Sequence, residues 1–134
     1  MSEGISAKSD NIKIVCLSFG FKYNDMPDAN LVFDVRCLKN PFYVEELKEL
    51  TGLNKAVLDY VMQFEESKIL ANSIVRVVTE TANLFGQKGK EKLVVAFGCT
   101  GGKHRSVSFA EYTYKMLLES GFTAETLHRD INKR

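Results

Sequence analysis

The pattern of apolar and polar positions along the chain predicts a protein built from both strands and helices. Short apolar runs rich in β-branched residues are typical of buried strands. Three such runs predict strands at 12–19, 31–35 and 92–97, and a final short extended segment predicts a fourth strand at 123–127. Apolar residues at helical spacing predict helices at 55–64, 66–85 and 105–120, and a further short helix at 44–50.

The order of these elements indicates the fold class. A strand–helix–strand unit occupies 92–127, and such units connect parallel strands. We therefore predict a small three-layer α/β sandwich, with a mostly parallel sheet of about four strands and helices on its faces. Residues 1–10 are polar and are predicted to form a flexible N-terminus, which leaves 11–134 as a single domain.

Composition is that of an ordinary globular protein. The chain has 134 residues, of which 45% are hydrophobic and 26% charged, and its formal net charge is +1. These values exclude a disordered chain, a coiled coil and a uniformly basic nucleic-acid binder. The N-terminus has no signal core, and no apolar stretch is long enough to span a bilayer. The three cysteines lack metal-ligand spacing, so we expect a cytoplasmic protein with no metal, no cofactor and no membrane contact.

The charge is unevenly distributed along the chain. Residues 1–41 are neutral, 42–85 carry a net charge of −3, and 86–134 carry +4. One interpretation is chance scatter, and the other is a C-terminal half that faces an anion. An acidic middle beside a basic half also permits self-association, although a solvated helix face is the more common explanation.

The clearest chemistry lies in 98–106, which reads GCTGGKHRS between a predicted strand and a predicted helix. Free backbone N–H groups and the positive end of the helix dipole favour an anion at such a junction. Lys103, His104 and Arg105 add basic groups there. Cations at a helix start are unfavourable unless an anion lies nearby. A phosphate or carboxylate site is therefore favoured over a tight turn whose basic side chains simply face water.

This loop is not a Walker A motif, because it is one residue short and has no Ser or Thr after the lysine. It does match C-x5-R-S, from Cys99 through Arg105 to Ser106, which is the phosphate loop of cysteine-dependent phosphatases. In such an enzyme the Cys99 thiolate would attack phosphorus and Arg105 would hold the oxygens. No acid loop accompanies the motif, since Asp34 lies in a strand and Asp130 in the tail. A binding loop and a catalytic loop both stay open.

Polar residues also follow the other predicted strands. They are Ser18, Lys22 and Tyr23 after the first strand, Arg36 after the second, and His128 after the last. Because ligands gather at the carboxyl ends of parallel strands, these side chains are candidates for the same site. The alternative is an ordinary strand exit, with Phe19 and Phe21 in the core.

Five segments of the sequence resemble the C-terminal domain of the RapZ family of RNase adapter proteins. They are SFGFKY at 18–23, LVFDVRCLKNP at 31–41, TGLNK at 51–55, GCTGGKHRSV at 98–107 and HRDINKR at 128–134. The resemblance covers nearly everything from Ile12 onward. It implies a non-catalytic module that binds RNA, presents it to an RNase, senses glucosamine 6-phosphate and oligomerises.

The resemblance also implies roles for individual residues. Thr100, Gly101 and Arg105 would hold the phosphate, and the SFGFK segment would line the same pocket. The ligand-binding candidates are Ser18, Lys22, Tyr23, Arg36, Cys99, Thr100, Gly101, Gly102, Lys103, His104, Arg105, Ser106 and His128. The RNA-binding candidates are Arg129, Lys133 and Arg134.

The sequence departs from the family pattern in three respects. No Walker-containing kinase-like domain precedes the matched region, so hydrolysis of ATP or GTP is not expected. Tyr23 stands where enterobacterial members have a His that is important for the sugar phosphate, and Asp130 makes the tail less basic. The predicted partners are a phosphate-containing small molecule, RNA with an RNase, and a second copy of the chain.

Overall fold

A computed structural model describes residues 12–133 of the chain. The predicted flexible segment 1–10 and the RNA-binding candidate Arg134 lie outside the described residues. The strands are β1 (Lys13–Gly20), β2 (Leu31–Asp34), β3 (Lys92–Cys99) and β4 (Thr123–His128). The α-helices are α1 (Lys55–Met62), α2 (Glu65–Gln87) and α3 (Arg105–Glu119), and two short 3₁₀ helices lie at Phe21–Tyr23 and Pro41–Tyr43.

The strands form one parallel sheet, in the order β2-β3-β1-β4 across the described chain. The register pairs Gly20 with Cys99 and Ser18 with His128, so the carboxyl ends of three strands meet at one edge. Parallel strands expose their ligand-binding loops at that edge. The strand exits that the sequence marked as polar are therefore neighbours in the fold.

Alternate side chains of the central strands face two different layers. Ile14 and Cys16 of β1 belong to the large core cluster, which also contains the buried faces of all three α-helices. Leu17 and Phe19 point the other way, where Phe21 and Ala29 of the β1–β2 connection pack on them. The three-layer α/β prediction is confirmed, with α-helices on one face and the 21–30 connection, including a 3₁₀ helix, on the other.

The predicted short helix at 44–50 is wrong. The chain instead forms the 3₁₀ helix Pro41–Tyr43 and then a series of turns. Val44 has extended backbone angles (φ −107°, ψ 115°) and ends the 3₁₀ helix. An α-helix cannot pass through that conformation, because its residues need φ near −63° and ψ near −42°.

The buried face of α2 differs in part from the stripe that helical spacing predicts, which consists of Ile69, Leu70, Ile74, Val77, Val78, Thr81 and Phe85. Ile74 and Val78 are buried as expected, but Ile69 and Val77 are exposed. The remaining buried positions are the small residues Ser67, Ala71 and Ala82. Small side chains allow close packing, and their low hydrophobicity hides them from a pattern based on large apolar residues.

Candidate functional site

The glycine-rich segment lies between the end of β3 and the start of α3, at the carboxyl edge of the sheet. The carbonyl of Thr100 accepts a 3.1 Å hydrogen bond from the backbone N–H of Lys22, which ties the loop to the exit of β1. No side chain caps α3, and its first turn has no acidic residue. The N–H groups and the positive dipole at this helix start are therefore left without a carboxylate from the helix itself.

Close backbone contact between the loop and β1 depends on glycine. Gly102 has φ +74°, and a Cβ there would lie 2.7 Å from the backbone nitrogen of Gly20. A Cβ on Gly20 would in turn lie 2.7 Å from the carbonyl carbon of Gly101. A Cβ on Gly101 would meet nothing within 4 Å. Gly20 and Gly102 are therefore needed for packing, whereas Gly101 borders open space.

The TGLN segment at 51–54 contacts the end of the glycine loop and the first turn of α3. The backbone N–H of Gly52 donates a 2.7 Å hydrogen bond to the carbonyl of Lys103, and its own carbonyl accepts one from the Ser108 hydroxyl. A Cβ on Gly52 would lie 2.5 Å from the carbonyl oxygen of His104. The start of α3 is thus held in place by backbone contacts that any side chain at position 52 would disrupt.

Arg105 is almost fully buried, with 4% of its surface exposed. Its Nη1 donates hydrogen bonds of 2.7 and 3.1 Å to the carbonyls of Arg36 and Leu38. Its Nε is buried and has no partner within the described structure. The Nη1 group of this guanidinium therefore holds the segment after β2, while its Nε donor is left without a partner.

His104 is also buried, with 7% of its surface exposed, and its Nε2 has no partner among the described residues. Burial lowers the pKa of His104, an effect that the carbonyls of Leu50 and Lys48 only partly oppose. The imidazole is therefore neutral at pH 7, and its expected positive charge is absent. It offers the site a polar nitrogen that a buried ligand oxygen or hydroxyl would satisfy.

Cys99 and Ser106 are buried neighbours at the base of the loop. The Cys99 thiol donates a 3.1 Å hydrogen bond to the Ser106 hydroxyl. Each of the three cysteines, Cys16, Cys37 and Cys99, is a free thiol. The C-x5-R-S segment therefore runs from the last residue of β3 through the glycine loop to the first turn of α3, and this path brings Cys99 and Ser106 together.

A cleft of about 360 Å³ opens beside this loop. Seven of the sequence candidates line it, namely Lys22, Cys99, Thr100, Gly101, Lys103, His104 and Arg105. Its volume lies within the range of about 300–1,000 Å³ that is usual for small-molecule sites. The structure thus gathers the β1 exit, the glycine loop and the start of α3 around one concave surface.

The remaining candidates lie outside the lining of the cleft. Arg36 pairs with Asp34 (2.6 Å) and places its guanidinium 3.9 Å from the ring centroid of Phe21. Tyr23 lies between Lys22 and Lys133, with their Nζ atoms 5.3 and 4.7 Å from its ring centroid. Gly102 and Ser106 shape the loop from behind, through the contacts given above.

Ser18 and His128 belong to a buried polar chain behind the cleft. Ser18 Oγ lies 2.7 Å from His128 Nδ1, and His128 Nε2 lies 2.7 Å from Glu111 Oε2. With Nε2 donating to the carboxylate, Nδ1 accepts from the Ser18 hydroxyl. Because Ser18 is fully buried, this chain joins β1, β4 and α3 and does not face the cleft.

The C-terminal basic residues pack around a single carboxylate. Asp130 has none of its surface exposed and accepts a 2.7 Å hydrogen bond from the backbone N–H of Gly20. Arg129 and Lys133 form ion pairs with it at 2.9 and 2.6 Å. Burial by itself would raise the pKa of Asp130, but these three partners together lower it to about 2.

Five further cleft residues were not found from the sequence. They are Asn40, Phe42, Tyr43, Lys48 and Glu49. The sequence shows an Asn-Pro pair at 40–41 that interrupts regular structure. In the fold, the side chain of Asn40 accepts a hydrogen bond from the N–H of Phe42. That the chain turns back there toward the glycine loop could not be read from a local pattern, because the two segments are about sixty positions apart.

The described residues contain neither a candidate metal cluster nor a membrane-spanning helix. Across residues 12–133, no three side chains from His, Cys, Asp and Glu are grouped so that they could hold a metal ion. None of the helices in the same range is both long and apolar enough to cross a membrane.

Comparison with known proteins gives relatives that match most of this chain. The chain is 44% identical over 124 residues to a nucleotide-binding protein of Caldicellulosiruptor saccharolyticus, covering 92% of this chain and 42% of the relative. It is 48% identical over 130 residues to a nucleotide-binding protein of Lysinibacillus sphaericus, covering 96% of this chain and 43% of the relative. The chain thus spans less than half the length of the curated relatives it matches.

The parallel sheet, with a glycine loop that leads from the carboxyl end of β3 into α3, defines a domain of the α/β class. The model of the RapZ C-terminal domain family matches residues 12–132, and the chain belongs to that family. The family resemblance seen in the sequence is therefore confirmed.

Proposed function

We infer that this domain is a non-catalytic module that binds a phosphate-containing ligand in the cleft beside the glycine loop. The observation that carries the proposal is a pair of buried donors or acceptors without partners, His104 Nε2 and Arg105 Nε. Buried polar atoms are nearly always hydrogen-bonded in folded proteins. Both residues line the cleft at the uncapped start of α3. A phosphate group there would satisfy them together with the backbone N–H groups.

The charge around the cleft supports an anionic ligand. Within the described chain its lining contains four basic side chains and one acidic side chain, namely Lys22, Lys48, Lys103 and Arg105 against Glu49. A concave surface lined mainly by one sign of charge concentrates the opposite sign. The acidic middle of the chain therefore does not cancel this local positive potential.

Among phosphosugars, glucosamine 6-phosphate has the features that suit this lining. Its phosphate would occupy the glycine loop, and its ammonium group would suit the single carboxylate, Glu49. The family resemblance supports the same ligand. A cytoplasmic location, where such metabolites occur, stays a prediction from the sequence.

Calorimetric titration with glucosamine 6-phosphate, glucose 6-phosphate and inorganic phosphate tests the proposal. Gly101→Ala should keep its fold, since its Cβ meets nothing within 4 Å, but should weaken all three ligands because Gly101 lines the cleft and the methyl group narrows it. Glu49→Gln should remove only the preference for the amino sugar. Lys55→Ala, in an exposed ion pair on α1, is the matched control. Absence of binding by every ligand to the wild type would refute the proposal.

RNA is the second ligand that we propose, on the strength of the family resemblance. Arg129 and Lys133 are engaged with Asp130, so their charge is partly neutralised. The cleft lysines then supply much of the phosphate contact, and affinity should fall steeply with salt as counterions are released. A salt-independent affinity would refute RNA binding. Contacts with an RNase and self-association are proposals of the same kind, which light scattering and pull-down measurements test.

A cysteine-dependent phosphatase is the alternative function. It is favoured by the Cys99–Ser106 hydrogen bond of 3.1 Å and by the place of Cys99 in the cleft. It is opposed by the burial of Cys99, which has 2% of its surface exposed, because a nucleophilic thiol must be accessible to its substrate. Turnover of an aryl phosphate by the wild type that Cys99→Ser abolishes would establish this alternative. Lack of turnover between pH 5 and 8 would end it.

A further inference from the structure

Two aromatic side chains at the mouth of the cleft are unusually exposed. Tyr43 has 81% of its surface exposed and Phe42 has 47%, and both line the cleft. Aromatic side chains normally bury 150–250 Å² each, and neighbouring apolar groups left in solvent often mark a binding surface. Phosphate recognition by the glycine loop does not explain these rings.

The backbone that carries the two rings is held by hydrogen bonds. The rings lie on the 3₁₀ helix Pro41–Tyr43, where the N–H groups of Phe42 and Tyr43 donate 3.1 Å bonds to the side chain and the carbonyl of Asn40. Pro41 itself is buried. A backbone segment that is already ordered loses little entropy on binding. The two rings therefore project from a preorganised segment.

The two rings differ in what is available to a ligand. They meet edge to face, with centroids 5.6 Å apart and planes at 84°. The Lys48 ammonium lies 4.9 Å from the Phe42 centroid and so takes up a face of that ring. The more exposed Tyr43 ring presents a flat π surface beside a cationic group.

We propose that Phe42 and Tyr43 form a base-stacking subsite, so that the cleft takes nucleotides, with the phosphate at the glycine loop and the base on Tyr43. Aromatic rings beside a positively charged groove are how proteins bind nucleotide units without strong sequence preference. The cleft volume of about 360 Å³ is also larger than a phosphate alone requires. This proposal rests on the proposed phosphate site. Its nucleotide could be free or part of single-stranded RNA.

Three probes isolate the contribution of the base: 5′-AMP, ribose 5-phosphate and inorganic phosphate, titrated calorimetrically at fixed ionic strength. The wild type should bind AMP about 5- to 150-fold more tightly than ribose 5-phosphate, which is the range that stacking of one base gives. Tyr43→Ala should abolish that preference, and Tyr43→Phe should preserve it. Leu84→Ala, the truncation of another exposed apolar side chain, on α2, should leave it unchanged.

The outcomes separate the two proposals. Equal binding of AMP and ribose 5-phosphate would overturn the stacking subsite and leave the phosphate site standing, as would a Tyr43→Ala variant that keeps the preference for AMP. Binding of none of the three probes would overturn both. The last titration uses a six-nucleotide adenosine RNA. A per-nucleotide affinity above that of AMP, lost in Tyr43→Ala, supports a single strand as the source, and an affinity no higher than that of AMP supports a free nucleotide.

Discussion

The carboxylate of Asp130 accepts a 2.7 Å hydrogen bond from the backbone N–H of Gly20, 110 positions earlier in the chain. The Cβ of Asp130 also lies 3.0 Å from the position that a Cβ on Gly102 would occupy. One side chain after the last strand therefore fixes the exit of the first strand and the back of the glycine loop. The C-terminal turn is part of the framework of the candidate site.

Removing this carboxylate should destabilise the domain. Asp130→Ala leaves the Gly20 N–H buried without a partner and leaves Arg129 and Lys133 without their counter-charge. We expect the free energy of unfolding to fall by about 2–3 kcal/mol, measured by urea denaturation. Asp59→Ala is the matched control, because Asp59 forms only an exposed pair with Lys55, and it should cost less than about 0.5 kcal/mol. Equal effects of the two substitutions would contradict this account.

The same carboxylate predicts an acid-sensitive fold. The pKa of Asp130 is lowered to about 2 in the folded protein, below about 3.9 in an unfolded chain. Its contribution to stability is therefore complete above pH 4 and is lost as the pH falls from about 4 to about 2. That loss is on the order of 2 kcal/mol. Denaturation curves of the wild type and Asp130→Asn, recorded across this range, should converge at the acid end.

Substitutions at two glycines distinguish the cost of backbone strain from the cost of a steric clash. Gly89 and Gly102 both have positive φ, +86° and +74°, but a Cβ meets nothing near Gly89 and meets the Gly20 backbone near Gly102. Gly89→Ala should therefore cost about 1 kcal/mol, from backbone strain alone. Gly102→Ala should cost about 3 kcal/mol or more, with loss of phosphate binding. Similar melting temperatures for the two variants would show that the contact is relieved cheaply.

His104 provides a direct reporter of the proposed phosphate site. The chain has two histidines, so their ring signals can be followed by NMR and assigned with His104→Gln. Because burial lowers the pKa of His104, its ring should titrate below 6.5 and stay neutral at pH 7. A phosphate near Nε2 favours the protonated form. Saturating inorganic phosphate should therefore raise this pKa, and an unchanged titration would place the anion elsewhere.

The lowered pKa of His104 also has a consequence for stability. The unfolded chain binds a proton at this residue more readily than the folded one, so the stability contributed by the neutral ring is lost as the pH falls below about 6.5. Because the imidazole of His104 is neutral, it adds no positive charge to the glycine loop. Lys103 and Arg105 carry the positive charge there, and His104 contributes a hydrogen-bonding atom.

Much of the fold could be predicted because its signals are local. The β-branched runs and the final extended segment predicted the four described strands within about two residues. The side chain of Asn54 caps α1 by accepting a hydrogen bond from the N–H of Ala56. Local signals failed where packing selected the conformation. Val44 is extended although its neighbours suit a helix, and α2 buries Ala71 and Ala82 in preference to the larger Ile69.

The sequence by itself determined the class of fold, the glycine loop between a strand and a helix, and membership of the family, because each depends on residues close together in the chain. The tertiary structure decided which side chains share the cleft and which are charged. Phe42 and Tyr43 line the cleft together with the glycine loop, Arg129 and Lys133 share the single counter-charge of Asp130, and His104 is neutral. Burial and ion pairing arise between distant segments, and no local pattern specifies them.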